Sequence, residues 1–203
     1  MHAGYPLALH QANDMPPDLT CSIYIGLGSN MGNSTARLAA ARDGISAMPG
    51  TFVSAASSLY LTEPQGDADQ PFFLNQVLRA ERRALAGTAQ EITQNVCSSE
   101  SEEDALSFMK SLQRLETDLG RIRVTGRRFG PRAIDLDLLL FGNTRMNTEQ
   151  LTLPHPRMLE RAFVLLPLAE IAPDLRLPSG STVKEALCEV NFKLEGNRIF
   201  QSR

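Results

Sequence analysis

Residues 127–142 constrain the fold more than any other stretch of the chain. Within the run RRFGPRAIDLDLLLFG, Asp135 and Asp137 lie two residues apart in an apolar segment. Successive side chains of a β-strand point to opposite faces, so this spacing predicts a strand with both carboxylates on one face. The opposite face is expected to carry the apolar side chains Ile134, Leu136, Leu138 and Leu140. The fold must therefore bury one side of this strand and leave two acids on the other.

Two carboxylates that follow a group of arginines suit a magnesium and phosphate site. Mg²⁺ takes oxygen ligands and is usually held by one or two carboxylates together with phosphate oxygens and water. Arginines beside it could bind the remaining phosphate charge. The same residues could also form the solvated side of an edge strand with ordinary surface ion pairs. The local pattern leaves both interpretations open.

Charge and composition argue against several classes of protein. The chain has 203 residues, a net charge of −3 and three widely spaced cysteines. A net acidic domain is not expected to bind nucleic acid, and cysteines without a C-x-x-C pair favour a reducing cytoplasm over a disulfide framework or a zinc site. No apolar run approaches the ~20 residues of a membrane span. We expect a cytoplasmic monomer with no membrane or nucleic-acid partner.

Composition predicts one domain with two loosely held segments. Residues 1–20 lack apolar periodicity and are expected to form a flexible extension. Residues 21–203 are enough for a single domain with its own core. Within that domain, residues 88–104 are polar and acidic. Such a segment buries too little apolar surface to offset the entropy of ordering, so we predict a mobile insertion there.

Apolar periodicity predicts the order of the secondary structure. Strands are expected at 22–28, 52–60, 73–82 and around Asp135 and Asp137, and helices at 34–48, 103–119, 157–171 and 183–190. Gly120 follows the second helix, where a C-terminal cap is expected. The first six elements predict an α+β fold. Its core would be ferredoxin-like βαββαβ with an antiparallel sheet, helices on one face, and additional C-terminal helices.

The glycine-rich segment from Gly26 to Gly32 follows a predicted strand and precedes a predicted helix. Its spacing is G-x-G-x-x-x-G, which differs from the dinucleotide-binding fingerprint. We therefore expect a tight turn that caps the helix. Contact of Ser29 or Asn30 with a ligand is the alternative.

Other candidate residues admit both a structural and a functional interpretation. Gln113 and Glu116 flank the apolar stripe of the second helix, and they could reach a ligand or face solvent. His155 lies between two prolines and could either pack or donate to phosphate. Phe73 and Phe163 would be core residues without further information.

Several segments together resemble the 6-hydroxymethyl-7,8-dihydropterin pyrophosphokinases, a family of the folate pathway. The similar segments occur in the family's order over about residues 22–175. They are Gly28-Ser-Asn30, Tyr60-Leu-Thr-Glu-Pro64, Gln70-Pro-Phe-Phe-Leu-Asn75, Gln113-Arg-Leu-Glu116, Gly120-Arg-Ile-Arg123, the stretch from Arg128 to Gly142, Leu153-Pro-His155 and Arg161-Ala-Phe163. The R-x-x-D-x-D core followed by P-H is the most specific part of the resemblance.

The resemblance implies a transfer of pyrophosphate from ATP to the hydroxymethyl group of the pterin, which leaves AMP. Asp135 and Asp137 would hold two Mg²⁺ ions, and Arg121 and Arg132 would complete the catalytic set. The ATP-binding residues implied are Gln113, Glu116, Arg123, Arg128, Phe129, Ile134, Leu138, Thr152, His155 and Arg161. Those implied for the pterin are Thr62, Glu63, Pro64, Gln65, Phe73, Asn75 and Phe163, with the two rings stacked on it.

Two other functions compete with this interpretation. A ferredoxin-like nucleic-acid-binding module would place the arginines on phosphates and the phenylalanines on bases. The net acidity and the two aspartates within that surface disfavour it. A different Mg²⁺-dependent phosphotransferase or nuclease would use the same carboxylates. Only the residues implied for the pterin separate that alternative from a pterin pyrophosphokinase.

Overall fold

The structure, a computed structural model, describes residues 20–65, 69–83, 99–122 and 130–201. The predicted N-terminal extension lies outside the described residues except for Thr20, and so do residues 88–98 of the predicted insertion. The remainder of that insertion is helical, because the second helix begins at Ser99 rather than near Glu103.

The described part of the chain contains nine strands, four α-helices and one 3₁₀ helix. The strands are β1 (Thr20–Ser29), β2 (Thr51–Ala56), β3 (Tyr60–Thr62), β4 (Phe73–Arg83), β5 (Asp135–Phe141), β6 (Met146–Asn147), β7 (Thr152–Leu153), β8 (Lys193–Glu195) and β9 (Arg198–Phe200). The α-helices are α1 (Ser34–Ser46), α2 (Ser99–Asp118), α3 (Ala162–Ile171) and α4 (Val183–Cys188), and the 3₁₀ helix is Met158–Glu160.

Seven strands form one mixed sheet. Its order is β5-β1-β4-β3-β9-β8, and β2 pairs with β4 beside β3. All pairs are antiparallel except β3 with β9, which is parallel. The strands predicted for the core pair antiparallel, but the sheet as a whole is mixed because β9, which was not predicted, joins it from the C-terminal end. The strand predicted at 52–60 is also divided into β2 and β3.

Helices cover both faces of the sheet. One apolar cluster joins α1 and α2 to the sheet through residues that include Leu38, Ile45 and Leu112. A second cluster joins α3 to the opposite face through residues that include Leu165 and Leu168. The helices predicted within the core do lie on one face, but the C-terminal helices cover the other. The central strands are consequently buried on both sides.

Local signals explain where the helices begin and end. Asn33 precedes α1, and its side chain accepts the N–H of Ala36. Thr182 and Glu185 form a reciprocal capping box at the start of α4. Gly120 has φ of +88°, the left-handed conformation expected of a residue that terminates α2.

A bulge in β5 changes which face its last residues occupy. Ile25 of β1 pairs with Leu138, whereas the preceding Tyr24 pairs with Leu140, so Leu139 is an extra residue. Leu136 and Leu138 pack into the cluster beneath α1 and α2, but Leu140 packs into the opposite cluster. Strict alternation wrongly placed Leu140 with Leu136.

Within the described residues, no helix has the length and apolar character needed to cross a membrane.

Candidate active site

The floor of the main cavity is a glycine-containing stretch of β1. Gly28 pairs with Asn75 of β4 on one side and with Asp135 of β5 on the other, and Gly26 pairs with Asp137. A Cβ atom at Gly28 would lie 3.0 Å from Oδ1 of Asn75, closer than side chains normally pack. A cavity of about 250 Å³ lies above this stretch, where Gly26 and Gly28 have no side chains to fill it.

Most of the residues expected to bind substrate or catalyse line this one cavity. They come from β3 and the segment after it, β4, β5, the end of α2 and the start of α3. The predicted residues that line it are Thr62, Glu63, Gln65, Phe73, Asn75, Arg121, Arg132, Asp135, Asp137, His155, Arg161 and Phe163. Carboxylates, guanidinium groups and aromatic rings therefore line one partly open cavity.

Two arginines hold the Asp135 carboxylate. Nη1 of Arg121 lies 2.5 Å from Oδ1, and Nη1 of Arg132 lies 2.7 Å from Oδ2. Arg121 also donates to Glu116. Burial alone would lower the pKa of Arg121, but the charges of Asp135 and Glu116 outweigh it and raise this pKa. Arg121 is thus a fixed cation at the edge of the cavity.

Glu116 differs from its sequence-based interpretation as a polar residue at a helix edge. Its side chain is buried, and Oε1 accepts the backbone N–H of Leu136 at 2.8 Å. Because Leu136 lies between Asp135 and Asp137, this hydrogen bond fixes the strand that carries both acids. Glu116 therefore holds β5 in place, and with it the two acids of the site.

Asp137 has a carboxylate that resists ionisation. Its side chain is 39 % exposed and lines the cavity, and Nη1 of Arg161 lies 3.6 Å from Oδ2. Burial within the cavity walls, followed by the charge of Asp135, raises the pKa of Asp137 to about 6. Arg161 and Arg132 oppose this effect without cancelling it. A further cation beside the carboxylate would favour its ionised form.

Each cavity phenylalanine has an arginine over its ring. The guanidinium carbon of Arg132 lies 5.3 Å from the centre of the Phe73 ring, and that of Arg161 lies 5.4 Å from the centre of the Phe163 ring. Both rings are half-buried and border the cavity rather than the interior alone. Aromatic surface and positive charge consequently lie side by side.

Asn75 and Thr62 form a buried polar pair on adjacent strands. Nδ2 of Asn75 donates to Oγ1 of Thr62 at 2.7 Å. This contact fixes the orientation of the amide, whose Oδ1 lies beside Gly28. The pair can therefore offer a directed acceptor to a ligand.

His155 is neutral in this environment. Its backbone N–H donates to the carbonyl of Leu139, and Nδ1 of its ring accepts the backbone N–H of Arg157 at 3.2 Å. Burial, with the charges of Arg161 and Arg157, lowers the pKa of His155 to about 4. With Nδ1 occupied as an acceptor, the ring carries its proton on Nε2.

Other predicted ligand residues lie apart from the cavity. Ile134 and Leu138 are buried in the cluster beneath α1 and α2, and Gln113 is exposed on α2. Thr152 donates to Oδ1 of Asn147 across β6 and β7. Pro64 lines an adjoining pocket of about 240 Å³. Arg123, Arg128 and Phe129 lie outside the described residues.

The turn after β1 holds two segments of the site together. Oγ of Ser29 donates to the carbonyl of Ala133 at 2.6 Å. Oδ1 of Asn30 accepts the N–H of Arg132 at 2.8 Å, and its Nδ2 donates to Gln70. These contacts are structural but differ from the helix cap expected of this turn, a role that Asn33 fills.

Sequence reasoning missed two parts of the site. The glycines of β1 were interpreted only as part of a turn, although a strand that contains G-x-G can leave room for a ligand. Gln201 was not considered at all. The Gly196-Asn197 pair between two short apolar runs is a hairpin signal that would have directed attention to that end of the chain.

Comparison with known families accounts for this combination of features. The sequence profile of the 7,8-dihydro-6-hydroxymethylpterin-pyrophosphokinase (HPPK) family matches residues 24–96 and 89–173. The chain belongs to this family. The resemblance found in the sequence motifs is thereby confirmed.

Curated relatives support the same assignment. The 2-amino-4-hydroxy-6-hydroxymethyldihydropteridine pyrophosphokinase of Pseudomonas aeruginosa is 37% identical over 171 residues, which is 84% of this chain and 93% of that protein. The enzyme of the same name from Methylorubrum extorquens is 42% identical over 168 residues, 83% of this chain and 92% of that protein. The folic acid synthesis protein fol1 of Pneumocystis carinii is 37% identical over 159 residues, which is 77% of this chain but 18% of that protein.

A solved structure shares the fold at low sequence identity. The crystal structure of the Plasmodium falciparum HPPK-DHPS triple mutant matches with a TM-score of 0.54 and 13% identity. The match covers 89% of this chain and 48% of that one. Both chains therefore contain the same mixed arrangement of sheet and helices.

Proposed function

We propose that the chain transfers pyrophosphate from ATP to the hydroxymethyl oxygen of 6-hydroxymethyl-7,8-dihydropterin and releases AMP. Pyrophosphoryl transfer to the pterin, as a step of folate biosynthesis, follows from membership of the family. The observation that carries the detailed proposal is that Asp135 and Asp137 open into the same cavity as Phe73, Asn75 and Phe163. Phosphate chemistry and recognition of a flat heterocycle can thus take place in one cavity.

Asp135 and Asp137 are the residues proposed to hold two Mg²⁺ ions. Their donor chemistry fits, because carboxylate oxygens suit Mg²⁺ and its remaining positions are usually filled by phosphate oxygens and water. The raised pKa of Asp137 also fits, since a carboxylate next to a cation regains its charge. No third His, Cys, Asp or Glu completes a metal cluster among the described residues. When bound, the ions would neutralise phosphate charge on both sides of an in-line displacement.

Three arginines are proposed to bind the phosphate groups of ATP. Arg121, Arg132 and Arg161 border the cavity on the side of the aspartates. The buried Nε atoms of Arg132 and Arg161 have no hydrogen-bond partner among the described residues. A buried N–H without a partner is costly, and a phosphate oxygen would satisfy it. His155, with its Nε2 proton, would act as a neutral donor beside them.

The pterin is proposed to bind between Phe73 and Phe163. Stacking would supply affinity for a flat ring, and the oriented amide of Asn75 would select for its hydrogen-bonding edge. The segment from Thr62 to Gln65, including Glu63 and Pro64, would form the adjoining wall. In this placement the hydroxymethyl oxygen faces the phosphates and attacks the β-phosphorus of ATP. Little covalent help from the protein is needed, because such transfers depend on positioning and charge.

We also propose the topology of the core, the number of domains, the oligomeric state and the location of the protein. The segment from β1 to β5, with the antiparallel order β5-β1-β4-β2, supports a ferredoxin-like core to which the C-terminal elements are added. We propose that residues 21–203 act as one domain, as a monomer in the cytoplasm.

Nucleotide product analysis tests the reaction. Purified protein is mixed with ATP, Mg²⁺ and 6-hydroxymethyl-7,8-dihydropterin, and a control omits the pterin. We expect AMP and pterin diphosphate only in the complete mixture, with no product after chelation of Mg²⁺ by EDTA. Formation of ADP would instead indicate a different phosphotransferase. Absence of nucleotide turnover from folded protein would contradict the proposal.

A further inference from the structure

The C-terminal hairpin of β8 and β9 extends the sheet beside the proposed pterin wall. Leu61 of β3 pairs with Arg198, and Thr62 pairs with Ile199. The N–H of Leu61 also donates to the carbonyl of Asn197 at 2.8 Å. This hairpin lies beyond residues 24–173, the part of the chain that matches the family profile. The strand that leads into the pterin segment is therefore fixed by residues from outside that part.

Gln201 follows this hairpin and joins three parts of the structure through one amide group. Its Oε1 accepts the backbone N–H of Ala162 at 2.9 Å and lies 3.4 Å from Nε2 of Gln65. Its Nε2 donates to the carbonyl of Glu160 at 2.7 Å. Both ends of the amide are thus engaged, which determines the orientation of the side chain.

The contact with Ala162 supplies a missing helix cap. Arg161 is the N-cap residue of α3, and its side chain makes no capping hydrogen bond. The first N–H groups of a helix need acceptors from outside the helix. Gln201 provides one at Ala162, next to Phe163, an α3 residue that borders the cavity. Loss of Gln201 would consequently loosen the start of α3 at Phe163, whereas the guanidinium group of Arg161 is also held by Asp137.

The contact with Gln65 connects Gln201 to the Thr62–Gln65 segment of the proposed pterin subsite. Gln201 and Ile199 border the adjoining pocket together with Phe163 and the segment from Thr62 to Gln65. Four of these residues, namely Thr62, Glu63, Gln65 and Phe163, also line the main cavity. Gln201 therefore contacts both the Thr62–Gln65 segment and the start of α3, which carries Phe163.

We infer that Gln201 is a positioning residue for the pterin subsite, holding the Thr62–Gln65 segment at a fixed distance from Phe163. This inference rests on the proposed function, because the pterin is assigned to that cavity. In this inference Gln201 acts through its contacts with Gln65 and with the start of α3. Its loss should therefore weaken pterin binding more than it slows the reaction of the bound substrates.

Two substitutions of similar shape separate this role from simple packing. Gln201→Leu removes the acceptor and the donor, whereas Gln201→Glu keeps an acceptor for Ala162 and Gln65. We expect Gln201→Leu to raise the KM for the pterin roughly five- to tenfold, and Gln201→Glu to raise it roughly twofold, the range expected for loss of ordinary hydrogen bonds. The KM for ATP and kcat should change by less than about twofold in both. Arg198→Ala, an exposed change on β9, is the matched control and should leave all three constants unchanged.

Steady-state kinetics and pterin fluorescence titration measure these effects on the full chain, with thermal melting as the check on folding. A pterin KM for Gln201→Leu within twofold of wild type would overturn the inference. Equal rises in both KM values would overturn it too, since they indicate a general structural defect. Failure of wild-type protein to form AMP would instead contradict the proposed function, and pterin titration of the same variants would still test the role of Gln201.

Discussion

Oε1 of Glu116 accepts the backbone N–H of Leu136 at a distance of 2.8 Å. Glu116 lies on α2, and Leu136 lies on β5 between the two aspartates of the cavity. The same carboxylate binds Arg121, which in turn holds Asp135. One buried acid thus sets the positions of a strand and of a guanidinium group on its surface.

Replacement of Glu116 should destabilise the fold as well as the site. Glu116→Ala leaves the Leu136 N–H buried without an acceptor, and we expect a loss of about 2–4 kcal/mol in the free energy of unfolding. Glu116→Gln keeps an acceptor oxygen and should lose less. Urea unfolding measures both. A Glu116→Ala variant as stable as wild type would show that the buried hydrogen bond makes no net contribution to the free energy of unfolding.

Substitution of Asp137 should abolish turnover without unfolding the protein. Asp137→Asn removes the anionic metal ligand but keeps the side-chain shape, so we expect AMP formation to fall at least about a hundredfold. Asp174→Asn, in an exposed turn, is the matched control and should remain active. Near-normal turnover by folded Asp137→Asn would rule out the metal assignment.

The raised pKa of Asp137 also predicts how the stability of the metal-free protein depends on pH. Its pKa in the folded state, about 6, lies above the ordinary value for Asp, so the folded chain binds more protons than the unfolded chain between pH 4 and 6. Its contribution to stability therefore decreases as pH rises through that window. In EDTA above pH 6, Asp137→Asn should unfold at the same urea concentration as wild type or at a higher one. A lower midpoint would contradict this.

Gly28 should be essential for the pterin subsite. In Gly28→Ala the new methyl group lies 3.0 Å from Oδ1 of Asn75, so the amide must move away from its position beside Thr62. We expect the KM for the pterin to rise on the order of tenfold. Gly26→Ala is the comparison, because its Cβ would meet Leu139 at an ordinary 3.6 Å. Equal effects on the pterin KM would argue against the Asn75 explanation.

His155 should make the fold sensitive to acid. The pKa of His155 is about 6.5 in the unfolded chain but about 4 in the folded chain. The unfolded chain therefore binds more protons between these two pH values. The stability that this group contributes is present above pH 6.5 and is lost as pH falls from 6.5 to 4. His155→Gln should remove that dependence. Melting temperatures from pH 4.5 to 7.5, taken as the difference between wild type and variant, measure it. A difference that does not vary with pH would contradict the lowered pKa.

The cysteines should differ sharply in reactivity. Burial, with the charges of Asp104 and Glu81, raises the pKa of Cys21 to about 12, whereas Cys188 is exposed. Because the thiolate is the reactive form, iodoacetamide at pH 8.5 should modify Cys188 on the order of a hundred times faster than Cys21. Peptide mass spectrometry follows each site separately. Similar rates in native protein would show that Cys21 is accessible.

The sequence predicted best the elements whose burial pattern is long and regular. The predictions for β1, α1, β4 and α2 agree with the structure to within a few residues, because extended apolar periodicity determines them. The faces of β5 were predicted correctly only as far as Leu138. A bulge depends on pairing with β1, which lies far away in sequence, and alternation within one strand does not reveal it.

The residues that line the cavity could be predicted from the sequence about as well as the secondary structure. Most residues implied by the family resemblance do line one space, although their roles remain predictions. The sequence did not reveal that Glu116 is buried beneath the site, because a polar residue at a helix edge has the same pattern whether it faces solvent or a neighbouring strand. Nor did it reveal the contact of Gln201 with Gln65, since hydrogen bonds between distant segments leave no local signal.

The pairing of β9 with β3 matters for anyone who attaches a tag or a second domain to this chain. Gln201 borders the pocket beside the cavity, so polypeptide joined directly at this residue would lie next to the cavity. Thr20 begins β1 at the end remote from Gly28, about 30 Å away along an extended strand. Polypeptide joined at Thr20 should therefore leave the cavity open, whereas polypeptide joined at Gln201 would crowd it or could be used to regulate it.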